Sequence, residues 1–231
     1  MSETAGTVFI VDDDVEVRQA LARLLRSASY DVRTFQSGLD FLVSHRPEAA
    51  GCLLLDLLMP DHDGLELQEA LAASGCERPI IFLTGHASVP AAISAIKGGA
   101  VDFLTKPIDQ HKLFASVDKA LALDSRRRQM DFWRRGVMRR FESLTPRERD
   151  VLKLVVQGRL NKQIAAEIGT VEKTVKVHRG RVMRKMRVRS LAELVHLTVS
   201  TGLLTPDRAS ATTNDPQGAV ARDQPSYSDS P

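Results

Sequence analysis

Five short runs of β-branched and large apolar residues, each trailed by a stretch of helical periodicity, limit the fold of this chain more than any other feature. The runs cover residues 7–11 ("TVFIV"), 32–35, 52–55, 79–84 ("PIIFLT") and 102–105. Amphipathic segments at 15–27, 39–45, 64–73 and 89–97 separate them, and a fifth at 110–123 follows the last. Strands this short, alternating with helices about twice as long, describe βαβ units and a parallel sheet.

Repeated five times, the unit predicts an α/β domain: a flavodoxin-like, doubly wound (βα)5 fold over residues 1–123. In such sheets the functional groups collect at the carboxyl ends of the strands. The rest of the chain differs in pattern and in charge. Residues 1–123 carry a net charge of −7, residues 124–203 a net of +12 and residues 204–231 a net of −2, within a total of +3. An acidic module joined to a strongly basic one suggests that the second meets a polyanion, nucleic acid above all.

Residues 124–143 ("DSRRRQMDFWRRGVMRRFES") read as a basic linker helix, with Met130, Trp133, Val137 and Phe141 at helical spacing. From 144 to 203 the pattern is wholly helical. In "TPRE", Thr145 reads as an N-cap, Pro146 as the first helical residue and Glu148 as the partner in a capping box, and "SLAE" repeats the box with Ser190 and Glu193. A short helix at 162–168, a turn at Gly169 and a long basic helix at 171–186 make a helix-turn-helix, and an all-α second domain is expected over 144–203. Residues 204–231, rich in Pro, Ser, Thr and Asp, read as a disordered tail.

Cys52 and Cys76 have no metal-ligand spacing, and Cys52 reads as a buried structural thiol. The start "MSETAGTVFIVDDD" lacks the basic opening and long apolar core of a secretory signal. No apolar run approaches the roughly 20 residues of a membrane span. A cytoplasmic protein with no membrane association is expected.

One carboxylate stands out. Asp56 lies within "GCLLLDLLMPDHDG", where burying a charge without a partner would cost several kcal/mol. In a doubly wound sheet the first and third strands are neighbours, so Asp56 should meet Asp12, Asp13 and Asp14, which follow the first strand. Asp14 alone reads as a helix N-cap. The remaining acids repel one another unless a cation neutralises them, and a divalent ion with oxygen ligands, Mg²⁺, fits. Thr84 and Lys106, at the ends of the fourth and fifth strands, add a hydroxyl and an ammonium to the same edge. This set is what a phosphoryl group on Asp56 requires, with its oxygens taken by Mg²⁺, Thr84 and Lys106. Asp61 and Asp63 read as turn and cap residues, and His62 as solvent-facing.

In the basic half, Val171, Val175, Val182, Met183 and Met186 form the expected core stripe of the long helix, and Lys173, Thr174, Lys176, Arg179, Arg181 and Arg184 its polar candidates. A helix bearing such a face fits the major groove of DNA.

The segments "VFIVDDDVEVR", "LLLDLLMPDHDGLEL", "PIIFLTGHASV" and "GAVDFLTKPID" resemble the receiver domain of two-component response regulators. That resemblance implies phosphorylation of Asp56 by a sensor histidine kinase, with Mg²⁺ held by Asp12, Asp13, Asp56 and the backbone carbonyl of Leu58. Thr84 and Phe103 match the switch pair and Lys106 the lysine of the site, while Gly85 leaves the approach to Asp56 open. The run "LTPRERDVLKLVVQGRLNKQIA" with "TVKVH" resembles the LuxR-type DNA-binding domain. By that match Lys162 and Thr170 touch phosphates, while Lys173, Lys176, Val177 and Arg179 face the groove. His178 matches a packing or phosphate-near position.

The combination is similar to the FixJ/NarL branch of response regulators. It implies a homodimer formed on phosphorylation, binding to double-stranded promoter DNA, and regulation of transcription, with RNA polymerase as a further partner and activation as the family tendency. The alternative keeps DNA binding but makes the receiver a phosphate-independent interaction module. An enzyme of the haloacid-dehalogenase type would need a second Asp at position 58, where this chain has Leu58.

Overall fold

The computed structural model describes residues 6–44, 46–59, 63–85 and 89–204, without the side chains of residues 89, 91 and 92. The chain divides between Trp133 and Arg134 into two compact units.

The first unit contains β1 (Thr7–Val11), α1 (Val15–Ser27), β2 (Asp31–Phe35), α2 (Gly38–Ser44), β3 (Gly51–Asp56), α3 (Gly64–Ala73), β4 (Ile80–Thr84), α4 (Val89–Lys97) and β5 (Asp102–Thr105). The strands pair in parallel in the order β2-β1-β3-β4-β5, the doubly wound topology read from the alternation. β1, β3 and β4 are almost wholly buried because helices cover both faces, which is why their sequences run apolar without alternation. One face packs Val8, Ile10, Cys52, Leu54 and Leu83 against Leu25, Leu113 and Val117. The other packs Phe9, Val11, Leu53, Leu55 and Phe82 against Phe41, Leu67 and Leu71. Cys52 is fully buried, and burial pushes its thiol up to about 12, in keeping with an inert packing role.

Helix α1 starts where Asp14 accepts the N–H groups of Glu16 and Val17 at 2.8 and 3.3 Å. Helix α3 starts on a full capping box between Asp63 and Glu66. Asp61, His62 and the expected last residue of α2, His45, lie outside the described residues, as does the tail from 205 onward.

Helix α5 (Gln110–Glu142) runs unbroken through the segment read as a separate linker. Its early part belongs to the first unit. Asp124 is buried there, accepting the Gly51 N–H at 2.8 Å and the Arg128 Nε–H at 2.7 Å. Gly51 has φ +147° and passes so close to β1 that a Cβ would lie 1.9 Å from the Thr7 carbonyl oxygen. The expected apolar stripe shifts: Val137 is fully buried and Trp133 and Phe141 half-buried, but Met130 is exposed. Met130 belongs to neither of the two core clusters described for the first unit.

The second unit contains the end of α5, α6 (Pro146–Val156), α7 (Asn161–Glu167), α8 (Glu172–Met186) and α9 (Leu191–Ser200). Thr145 and Glu148 form the expected capping box of α6, and Glu148 also receives Lys185 Nζ at 2.6 Å. At α9 the box is only half made. Ser190 Oγ accepts the Glu193 N–H at 3.1 Å, but the Glu193 carboxylate reaches one residue further back, to the Arg189 N–H at 2.8 Å. The core stripe of α8 is Val175, Val182 and Met186, with Met183 half-buried. Val171 is not part of it: it is the N-cap position, in extended backbone, and stays 66% exposed. Among the described residues no helix is long and apolar enough to cross a membrane.

Candidate functional site

The sheet register assembles the first site. Val11 stands beside Leu55, so Asp12 follows β1 abreast of Asp56, the last residue of β3. Asp56 stands beside Leu83, and Thr84 beside Thr105, which brings Thr84 and Lys106 to the same edge. The Lys106 N–H donates to the Thr84 carbonyl at 2.7 Å, seating the lysine backbone on β4. Lys106 precedes a cis peptide bond to Pro107.

Lys106 Nζ donates to Asp56 Oδ1 at 2.7 Å and to Asp12 Oδ2 at 2.9 Å. One ammonium thus serves two buried carboxylates. The second oxygen of Asp12 accepts the Asp14 N–H at 2.9 Å, and that of Asp56 accepts the Leu58 N–H at 3.1 Å. Burial pushes the Asp56 carboxyl above its ordinary range; the hydrogen bond and charge of Lys106 oppose this, and the Asp12 charge adds to it. Burial alone would lower the Lys106 ammonium, but its bonds to Asp56 and Asp12 outweigh that and hold it above its ordinary value.

The four-acid convergence is narrower than the sequence suggested. Asp13 is exposed, and Asp14 turns away to cap α1. Among the described residues no group of three His, Cys, Asp or Glu side chains is gathered to hold a metal. The donors gathered there, two buried carboxylates with one cation between them, are hard oxygens of the kind that suits Mg²⁺. Thr84 is buried, Leu58 exposes its side chain, and Phe103 is half-buried against the Phe9–Phe82 side of the core.

Two site neighbours escaped sequence reasoning. Arg18 Nη1 donates to the Asp12 carbonyl at 2.6 Å, steadying the turn after β1. Gly64 lies so close beneath the loop after β3 that a Cβ would stand 2.5 Å from the Asp56 carbonyl oxygen. Its signal in the sequence is the "DG" pair at the mouth of α3, in which Asp63 reads as a turn or cap residue and Gly64 as the first residue of the helix.

The second site is built on α7 and α8. Lys173, Lys176 and Val177 recur at helical spacing on α8, and all three are exposed. Thr174 and Arg179 are half-buried, and Arg179 Nη1 donates to Asn161 Oδ1 at 3.1 Å, tying α8 to the start of α7. Lys162 is exposed in the first turn of α7, and Thr170 sits in the turn between the helices with its N–H on the Ala165 carbonyl at 2.9 Å. His178 is half-buried and its Nδ1 has no hydrogen-bond partner among the described residues. A Cβ at Gly180 would meet nothing within 4 Å, so packing within the chain does not demand glycine there.

Residues 8–118 match the response regulator receiver domain, and residues 142–198 match the bacterial regulatory proteins of the luxR family. Nodulation protein W of Bradyrhizobium diazoefficiens is 43% identical over 202 residues, spanning 87% of this chain and 89% of that protein. The chain is a two-component response regulator of the FixJ/NarL type. The transcriptional regulatory protein FixJ of Azorhizobium caulinodans is 40% identical to this regulator over 205 residues, 89% of the chain and 97% of FixJ. The solved structure of response regulator StyR superposes on the regulator with a TM-score of 0.77 at 47% identity, covering 84% of this chain and 98% of StyR. The regulator therefore couples phosphorylation of a receiver to DNA binding and control of transcription, in partnership with a histidine kinase and DNA. Receivers of this family use Mg²⁺ for phosphotransfer.

Proposed function

We propose that Asp56 is the phosphoryl acceptor of this regulator, and that Asp12, Asp13, Asp56 and the Leu58 carbonyl hold Mg²⁺ beside it. The observation that carries this reading is the sharing of one Lys106 ammonium by Asp12 and Asp56, which leaves a buried site short of positive charge. Mg²⁺, when bound, supplies the missing charge and polarises the phosphoryl group. Asp56 is then the nucleophile: a carboxylate oxygen forms the bond to phosphorus as the P–N bond of the kinase's phosphohistidine, or the P–O bond of acetyl phosphate, breaks and imidazole or acetate leaves. Lys106 exchanges its bond to Asp56 for one to a phosphoryl oxygen, at no cost in burial. Thr84, on the adjacent strand end, donates its hydroxyl to another oxygen, and Phe103 follows Thr84 inward as the switch.

In this reading the phosphorylated receiver dimerises and pairs two DNA-binding units on promoter half-sites. Lys162 and Thr170 contact phosphates; Lys173, Thr174, Lys176, Val177 and Arg179 contact the groove; RNA polymerase is the downstream partner. Residues 1–123 with the start of α5 act as receiver, the rest of 124–143 as linker and 144–203 as DNA reader.

The test is the intact mass of wild type and Asp56→Asn after incubation with acetyl phosphate and Mg²⁺. One phosphoryl adduct on wild type alone, abolished by prior chelation, is expected. An adduct on Asp56→Asn of equal yield would place the acceptor elsewhere.

A further inference from the structure

Every Lys and Arg among the first 50 residues lies beside the edge strand β2, in a unit that is otherwise acidic. Arg18, Arg23 and Arg26 line a hollow on one side of Thr34, and Arg33 and Arg46 line a larger cavity on the other. Guarding an unpaired sheet edge is the plain use of such charges. Arg26 does that, donating from Nη2 to the Val32 carbonyl at 3.0 Å. Arg33 and Arg46 do not: among the described residues neither guanidinium makes a hydrogen bond or an ion pair.

The cavity they line has a volume of about 850 Å³, within the range of small-molecule sites. Phe9 and Phe35 form its floor, Ser44 offers a hydroxyl, and Glu48 adds a carboxylate to the lining; the Thr34 side chain stands with Ile10 on the opposite face of the sheet. Behind the floor lies a third cation. The Arg78 guanidinium sits 4.3 Å from the Phe9 ring centroid and donates from Nη2 to the Arg46 carbonyl at 2.9 Å. Arg78 is only 5% exposed, and its Nε and Nη1 have no hydrogen-bond partner among the described residues. The groups that attract it are Cys76, with which it shares a side-chain hydrogen bond, and Asp124, whose carboxylate is already paired with Arg128 at 2.7 Å. A buried cation so placed leaves a positive field that an anion in the cavity would offset.

We propose that this cavity binds a small, multiply charged oxyanion, a phosphate ester or a polycarboxylate, held by Arg33 and Arg46 with the Ser44 hydroxyl. Guanidinium forks suit either oxyanion, and a hydroxyl completes such a site. The loop that lines it is gripped from behind. Arg128 of α5 donates to the carbonyls of Pro47, Glu48 and Ala49, so an occupant would press on residues bonded directly to that helix.

The test is calorimetric titration of the full chain, free of Mg²⁺, with inorganic pyrophosphate in one arm and citrate in the other. The variants are Arg33→Ser/Arg46→Ser and, with the same loss of charge elsewhere, Arg134→Ser/Arg135→Ser. Saturable binding of at least one probe is expected, weakened roughly tenfold or more in the first variant and far less in the second. Pyrophosphate alone identifies a phosphate site, citrate alone a carboxylate site. Binding by neither probe, or equal weakening in both variants, overturns the proposal. Neither outcome bears on phosphorylation of Asp56, which the mass measurement decides separately.

Discussion

The carboxylate of Asp124 accepts the backbone N–H of Gly51 at 2.8 Å, joining residues 73 positions apart. The same carboxylate holds Arg128, whose fork satisfies three successive carbonyls before β3. Replacing Asp124 by Ala leaves a buried N–H without an acceptor and a guanidinium without its counter-ion. We expect a loss of about 2 kcal/mol from the receiver transition in urea, and a smaller loss for Asn, which keeps an acceptor. Equal losses for Ala and Asn would show that the hydrogen bond to Gly51 contributes little.

Gly51 itself admits no side chain, since its backbone lies in the left-handed half of φ space and against β1. Gly51→Ala should destabilise the receiver by about 3 kcal/mol or more, through strain and the collision with Thr7. Circular dichroism melts of the purified variant measure this; an unchanged transition would refute the close approach.

Lys106→Met strands two buried carboxylates without their shared cation. Phosphoryl incorporation from acetyl phosphate should fall roughly a hundredfold, a loss of about 3 kcal/mol at the transition state, while Mg²⁺ binding is retained or strengthened. Wild-type incorporation rates in the variant would remove Lys106 from the proposed chemistry.

In the second unit Glu148 is a buried carboxylate paired with Lys185. Burial raises its carboxyl, but Lys185 and the Thr145 N–H outweigh burial and hold it below its ordinary 4.5. A depressed carboxylate contributes stability that is present above its unfolded value and lost as pH falls through the folded one. Melting temperatures of wild type and Glu148→Gln should therefore differ at pH 7, and the gap should narrow progressively as pH falls below 4.5. A gap that does not narrow at all down to the acid unfolding of the domain would assign the difference to packing rather than charge.

On α7, Lys162→Ala should lower DNA affinity for every sequence alike, and its lost phosphate contact should reduce the slope of log affinity against log salt by about 1. Val177→Ser, which changes no charge, should leave that slope intact and weaken discrimination at one base pair by about 1 kcal/mol. Gel-shift titrations at several salt concentrations separate the two; a changed slope for Val177→Ser would contradict a groove-facing valine.

Much of this was legible without coordinates. Asp56 stood out because an apolar run rarely tolerates a carboxylate, and the caps at Asp14 and Thr145 because a polar residue before an apolar period satisfies the free N–H groups of a first turn. What failed was less local. Val171 fits the period of α8 but sits one residue outside it, where the backbone is extended. Glu193 has the spacing of a capping box, yet its carboxylate bonds one residue further back.

The sequence by itself determined the order of strands and helices, the parallel sheet, and the strand ends on which Asp56, Thr84 and Lys106 lie. Hydrophobic period and helix caps are written in neighbouring residues, so neighbouring residues suffice to read them. Only the tertiary structure decided which carboxylates share Lys106, across 94 and 50 positions of chain, and that Asp13 stays exposed. It also decided that the start of the basic helix belongs to the receiver, through Asp124 and Arg128. Such pairings depend on which chain segments the crossovers bring side by side, and on which polar groups burial then forces to find a partner.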